Sequence, residues 1–530
     1  MSSSYVARVA HVAASSPLVI LAAVILFPLL VWRLVRFTIY PYLSPRDPLE
    51  YPYWIPIVGH LRSFFRNSNQ LISDSSAYFG NSGEPFSLGV AGHTWYIITT
   101  PENVMATYKS DNGSLSYDMF AVEVMRMIGV SEDGISKAFQ TQSVSTDSSQ
   151  AKPQKHLVRL CKEYQLEQLS PGGRLEQLTK SSIEMTIERL SLKFISDKRP
   201  SYLSSTGPDF VVVQLYQWLS DIFIDIGTQV YFGNCLQKIQ PDLNRSFMAF
   251  ETLSWQAMYQ YPNFLCGKMN KAKEKVRCAI EEYFASPEHK RPGASWFIAQ
   301  IEAEMKRLHI DPHDSSLFFF QLYWSINGNT RKAPFWIISH LLFNAELMDD
   351  IRHETRPAIQ GGGVDLSYLL DLHTCPRLNS LWDEAVRLTA YAASVRFLTR
   401  DVELGGKTLR KGCRLMIPQR QLHFNPEVFG NNASAFKAER FLENPSLRKH
   451  PTLRPFGGGA TMCPGRNFAK QTTFAFIAKV LDTFHMALDP VNQPFPQAAE
   501  GKPSIGLVDV KDGHDVTVKL SSRREGCNEA

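Results

Sequence analysis

The sequence predicts a mainly α-helical protein with a small β-sheet region and one N-terminal transmembrane helix. Three observations carry that prediction: an uncharged apolar run near the N-terminus, helical periodicity through most of residues 155–350, and strand-like alternation confined to two short pieces. The chain has 530 residues, 44% hydrophobic and 12% aromatic, enough apolar material for a large buried core. Its formal net charge is only +5, with Lys and Arg spread along the chain. No basic stripe suited to neutralising phosphates stands out, so nucleic acid is not an expected partner.

From Val9 to Trp32 there is no Asp, Glu, Lys or Arg. As a helix this run reaches roughly 36 Å, enough to cross a hydrocarbon core of about 30 Å. A cleaved signal would have a shorter apolar core followed by small residues, whereas Trp32 and Arg33 follow here, so the segment reads as an uncleaved anchor. Arg33, Arg36 and Arg46 lie after the span and only Arg8 before it, which places the remainder in the cytosol. The expected organisation is a tail at 1–16, a membrane anchor at 17–40, a proline-rich linker at 41–60 and one large domain at 61–530. Prolines at 41, 45, 48, 52 and 56 predict that the linker is a stiff, extended spacer.

Within the body, "GISKAFQTQSVSTDSSQAKPQ" at 134–154 reads as an exposed loop, whereas "FVVVQLYQWLSDIFIDIGTQVYF" and "SLFFFQLYWSINGNTRKAPFWIISHLLFN" read as buried helices. Strands are expected near 84–100 and at 395–418, the latter with a Gly405-Gly406 hairpin turn. No composition break divides the body.

Eight cysteines are scattered with no two closer than twelve positions, so there is no CxxC pair for a zinc ribbon or a thioredoxin motif. GxxxxGK[ST], GxSxG, GxGxxG and HExxH are also absent, which removes support for nucleotide hydrolysis, ester hydrolysis and zinc proteolysis. The remaining chemistry centres on "PFGGGATMCPGRNFAK", Pro455 to Lys470. Three glycines allow the backbone to pass close to a flat group. Pro464-Gly465 then turns into a helical stretch, so Cys463 is expected near a helix N-terminus that favours its thiolate.

Phe456, Gly459, Cys463 and Gly465 resemble the Phe-x-x-Gly-x-x-x-Cys-x-Gly haem-binding loop of the cytochrome P450 superfamily. The resemblance implies a P450 fold for the haem-binding catalytic domain, haem b, and Cys463 as the axial ligand of its iron. Thr461 stands where the family usually has an arginine or histidine directed at a haem propionate. Of five Glu-x-x-Arg matches, only Glu384 to Arg387 lies on a helix that starts after Pro376 and precedes the hairpin. Their spacing puts both on one helix face, and "FKAERF" supplies Arg440 as a third member of the Glu-Arg-Arg network that the family uses to lock its cysteine loop. By position, Arg159 in "KHLVRL" and Arg396 in "SVRF" are the cations expected at the propionates, although Lys155 replaces the tryptophan often found before the first.

The family's oxygen-binding helix usually carries an acid and a threonine. Here Gly328 and Asn329 take those places, with Thr330 next. Asn329 is expected to orient a water in a bulge opened before Pro334, with Thr330 assisting. This pattern resembles the branch containing cholesterol 7α-hydroxylase, sterol 12α-hydroxylase and prostacyclin synthase, which holds both hydroxylases and a peroxide isomerase. The resemblance therefore implies a monooxygenase using O2 and NADPH-derived electrons from a membrane-bound flavoprotein reductase. It would oxidise an apolar terpenoid, steroid or polyketide-like metabolite at the endoplasmic reticulum. A peroxide isomerase needing no reductase and a non-catalytic haem or lipid-binding protein stay open as alternatives.

Overall fold

The computed structural model describes residues 17–110, 113–141, 155–197 and 201–523. Packing divides the chain into two units. One runs to Tyr117 and takes in Ser394–Pro418; the other comprises Asp118–Ala393 and the chain from Gln419. The first unit is discontinuous, which is why no composition break along the sequence marks it.

In the first unit the apolar helix Pro17–Leu34 continues through a π-helical turn at Val35–Ile39 into Tyr40–Leu43. The stretch Leu21–Leu43 is long and apolar enough to cross a membrane and is not covered by protein. Residues 41–60, expected to be a spacer, instead pack onto the unit's sheet. Leu49–Glu50 pairs in parallel with Phe86–Val90, the Tyr51 N–H donates to the Ser87 carbonyl at 2.9 Å, and Tyr51 stacks on His60 at 4.9 Å. The prolines remove their own donors but leave the intervening N–H groups free to pair. Phe86–Val90 and His93–Ile97 form the expected hairpin, Arg414–Pro418 joins it in parallel, and Ala393–Leu398 follows with Leu115–Ser116 at the edge. Gly405-Gly406 turns the separate Val402–Leu404 and Lys407–Leu409 hairpin.

The second unit is a helical body around Leu215–Phe232, most of whose side chains are buried. Gly173–Arg189, Pro312–Asn327 and Lys332–Leu342 pack against it, and Arg466–Thr483 packs on the first and last of these. The sequence run expected to be one helix from Phe210 is divided: Phe210–Gln214 is a strand, paired with Thr517–Ser522 and Leu203–Thr206. The β-branched valines suit the pleat, and one of the two partner strands lies about 300 positions away, beyond the reach of local periodicity. Part of the expected 134–154 loop is also ordered. Glu132–Phe139 is a helix, capped by Ser131, with Ile135 and Ala138 buried, whereas residues 142–154 lie outside the described residues.

Asp515 ties the returning chain to the start of the central helix. Its Oδ1 accepts from the N–H groups of Tyr216 and Val516, both at 2.7 Å, and its Oδ2 from Gln217 at 3.3 Å. Burial nevertheless pushes its carboxyl up to about 6, the three N–H groups pulling back only in part. A raised acid contributes stability below its unfolded pKa of about 3.9 and loses it as pH rises through the folded value. Asp515→Asn keeps the Oδ1 acceptor and removes the buried charge. It is expected to stabilise the protein at pH 7 by up to about 3 kcal/mol. Parallel thermal melts from pH 4 to 7.5 would check this, because the gain over wild type must shrink towards pH 4.

Candidate active site

The loop from Pro455 to Gly465 is closed on itself by the Cys463 N–H donating to the Phe456 carbonyl at 2.9 Å. Its bend depends on Gly457 and Gly459, at φ of 72° and 55°, where a side chain would be strained. The helix Arg466–Thr483 begins immediately afterwards, and the N–H groups of Gly465 and Arg466 both point at the Cys463 sulfur. Cys463 keeps accessible surface although protein atoms surround its sulfur densely. Burial raises the thiol's pKa, and the two N–H groups with the Arg466 charge offset only part of that. The N–H groups at the helix N-terminus thus act in favour of the thiolate, as expected, but burial outweighs them. A cation bound at the sulfur would tip the balance to the thiolate.

Behind the loop lies a buried ion network. Arg387 on the helix Pro376–Thr389 donates from Nε and Nη2 to Glu384, both at 2.8 Å, and Arg440 reaches both Glu384 oxygens at 3.1 Å. Glu384 and Arg387 are 0% exposed. The remaining donors are also used: Arg387 Nη1 binds the carbonyls of His423 and Ala433 at 2.6 Å, and Arg440 Nη1 binds that of Phe429. Such saturation distinguishes a buried network from a surface pair, which contributes about 0–1 kcal/mol. Two connections reach the cysteine loop. Trp382 stacks on Phe456 at 6.3 Å, and His423 Nε2 accepts from the Arg454 N–H at 2.9 Å. Burial and the Arg387 charge lower the pKa of His423 to about 3. The ring stays neutral and remains an acceptor across the physiological range.

The long buried helix breaks between Asn327 and Lys332. Lys332 N–H donates back only three residues, to Asn329. Asn329 Oδ1 accepts from the Leu507 N–H at 3.0 Å, so its oxygen also holds the C-terminal segment. The Thr330 hydroxyl is buried and has no hydrogen-bond partner among the described residues. Beyond the break, Arg331 meets Glu251 at 2.5 Å, and Lys332 bridges Glu251 at 2.8 Å and Asp509 at 3.0 Å. Tyr216 donates to the other oxygen of Asp509. Burial opposes the Arg331 charge, but Glu251, Tyr216 and Asp509 outweigh it and keep its pKa raised.

Known proteins are similar to this chain. The family model described as Cytochrome P450 matches residues 320–514, which include the broken helix, the Glu384 network and the cysteine loop. The chain is 24% identical to cytochrome P450 monooxygenase poxD of Penicillium oxalicum, over 90% of this chain and 94% of that protein. It is 23% identical to a 5-beta-cholestane-3-alpha,7-alpha-diol 12-alpha-hydroxylase of Sus scrofa, over 83% and 87%. Among solved structures, the retinoic acid bound cyanobacterial CYP120A1 superposes with a TM-score of 0.66 at 16% identity, covering 90% of this chain and 99% of that one. The chain is therefore similar to cytochrome P450s over residues 320–514 and, at low identity, over most of its length.

The two cations expected at the haem propionates sit in different settings. Arg159 is 65% exposed on its helix, with Glu163 at 3.8 Å, so the structure does not bring it to the loop. Arg396 lies in the first unit, 6% exposed, over the Tyr117 ring; burial lowers its pKa, and Tyr108 and Tyr117 restore part. Sequence reasoning missed His423, whose signal is the "HFNP" turn before "AERF", and the Arg331-Lys332 pair, a charged dipeptide inside an apolar run. It also missed Gly506. A Cβ there would lie 2.3 Å from Asn329 Oδ1. Gly506→Ala is expected to displace that amide, and Asn329→Ala to relieve the clash. Thermal melts of the double-mutant cycle should give a coupling of about 1–2 kcal/mol.

Proposed function

We propose that this chain is a P450 that oxidises an apolar small molecule of the terpenoid, steroid or polyketide type. Dioxygen is the oxidant, and NADPH-derived electrons arrive through a membrane-bound flavoprotein reductase. The enzyme is anchored by one helix in the endoplasmic reticulum with its body in the cytosol. The observation that carries the proposal is the Cys463 sulfur, held by two backbone N–H groups at the end of a loop fastened to a fully buried Glu-Arg-Arg network.

The residues fit a haem: an accessible thiol at a helix N-terminus, a glycine bend without side chains, and no competing cluster of metal ligands among the described residues. Cys463 would hold the iron, with Phe456, Gly459 and Gly465 shaping the loop around it. Bound there, haem would supply dioxygen activation for insertion into an unactivated C–H bond. The Gly465 and Arg466 N–H groups moderate the charge on the sulfur. Thr330 is the proposed distal hydrogen-bonding group, because its hydroxyl is buried and uncommitted, and Asn329 positions the turn that presents it.

The relatives' printed names, monooxygenase and 12-alpha-hydroxylase, support oxygen insertion over peroxide isomerisation. Reconstitution with reductase, NADPH and a panel of apolar substrates under labelled dioxygen tests this. One labelled oxygen atom in the product, dependent on NADPH, is expected. Turnover of an organic peroxide without reductant, and none with NADPH, would replace the proposal with the isomerase.

A further inference from the structure

The long buried helix ends at Asn327 and resumes at Lys332, and the chain between them carries Thr330. The Gly328 N–H still makes the helical bond back to Trp324 at 2.8 Å, whereas the Lys332 N–H turns to the Asn329 carbonyl at 3.0 Å in place of Gly328. The Arg331 side chain supplies a substitute donor. Its Nη1 donates to the carbonyls of Asn327 at 2.9 Å and Gly328 at 3.1 Å, so a cation caps the C-terminal end of the first segment.

That guanidinium is 0% exposed and needs a counter-charge. Glu251, on the helix Leu243–Leu253, provides it. Its Oε2 accepts from Arg331 Nη2 at 2.5 Å, and its Oε1 accepts from Lys332 Nζ at 2.8 Å. Lys332 in turn meets Asp509 at 3.0 Å, and the Arg331 guanidinium lies over the Tyr216 ring at 5.5 Å. One carboxylate thus holds two consecutive residues of the broken helix from an element that lies 80 positions before Arg331.

Desolvation cancels most of the attraction in a buried ion pair, so such a pair adds little net stability over apolar packing of the same volume. What this pair fixes is geometry, because the Arg331 head must stay at Glu251 and at the two carbonyls together. Thr330 directly precedes Arg331, and its buried hydroxyl makes no hydrogen bond of its own among the described residues. Its placement therefore depends on the backbone that Arg331 holds.

We propose that Glu251 is a positioning residue for the oxygen chemistry: through Arg331 it keeps the helix open at Gly328 and sets where the Thr330 hydroxyl stands. The inference rests on the reading of Thr330 as the distal hydrogen-bonding group, and adds to it a residue from outside the broken helix.

The test uses carbon monoxide on the reduced, haem-loaded full-length enzyme, with the C–O stretching band read by infrared spectroscopy. That band responds to polar groups beside the bound gas. Thr330→Val is expected to shift it. Glu251→Gln, which keeps an acceptor without the charge, is expected to shift or split it as well, while the thiolate-type Soret shift stays in place. In the Thr330→Val background the Glu251→Gln substitution should produce no further shift, because its effect runs through the hydroxyl. Glu251→Asp keeps the charge but shortens the arm. It should give a smaller shift, and it carries the comparison alone if Glu251→Gln does not fold. An unchanged band in both Glu251 variants, or the same Glu251 shift with and without the Thr330 hydroxyl, would overturn the inference and leave the reading of Thr330 standing. A band indifferent to Thr330→Val would overturn that reading itself, and the inference with it.

Discussion

Glu384→Ala is expected to prevent accumulation of folded, haem-loaded protein. Glu384 is the only carboxylate that the structure places between Arg387 and Arg440 among the described residues, and it is 0% exposed. Removing it leaves two guanidiniums buried without a counter-charge. Breaking one buried pair costs about 3–5 kcal/mol. Two arginines share this partner, and a domain's whole stability is about 5–15 kcal/mol. The Lys437 N–H, which donates to Glu384 at 3.0 Å, loses its acceptor as well. Glu384→Gln keeps an acceptor without the charge and should fall between. Soluble yield, haem absorbance per chain and urea midpoints measure the effect. A Glu384→Ala protein melting within about 2 °C of wild type would refute the central place given to this network.

The second large effect belongs to Cys463. In Cys463→Ala the loop should persist, because its closure uses the backbone N–H to Phe456 and its anchoring uses Trp382, His423 and Arg454. The expected result is a folded chain whose reduced carbon monoxide difference spectrum lacks the thiolate-type Soret shift and whose NADPH-dependent turnover falls to background. Far-UV circular dichroism on the same sample separates this from unfolding. An unchanged spectrum would mean that the sulfur is not the ligand and that the loop has another purpose.

These two sites differ in how far the sequence exposes them. The cysteine loop is contiguous, so its glycines, proline and thiol appear together and the resemblance can be read directly. Glu384 and Arg387 are one helical turn apart and equally visible, yet nothing local separates them from Glu274 and Arg277, which pair at 2.6 Å with Glu274 43% exposed. Burial decides the difference, and burial arises from distant packing. Asn329 illustrates the reverse case. Its unusual identity is plain in the sequence, but its partner Leu507 lies 178 positions away, and that contact makes the amide a clasp on the C-terminal segment as well.

By itself the sequence determined the apolar N-terminal helix, the mainly helical class and the cysteine loop, because each is written in contiguous residues whose hydropathy, periodicity or turn chemistry acts locally. Only the tertiary structure decided that the proline-rich segment joins a sheet, that Phe210–Gln214 is a strand, and that Arg331 and Lys332 are neutralised by Glu251 and Asp509. Those outcomes depend on backbone and charge partners supplied from elsewhere in the chain. Pairing energy in a buried setting then overrides the local preference of the segment that receives it.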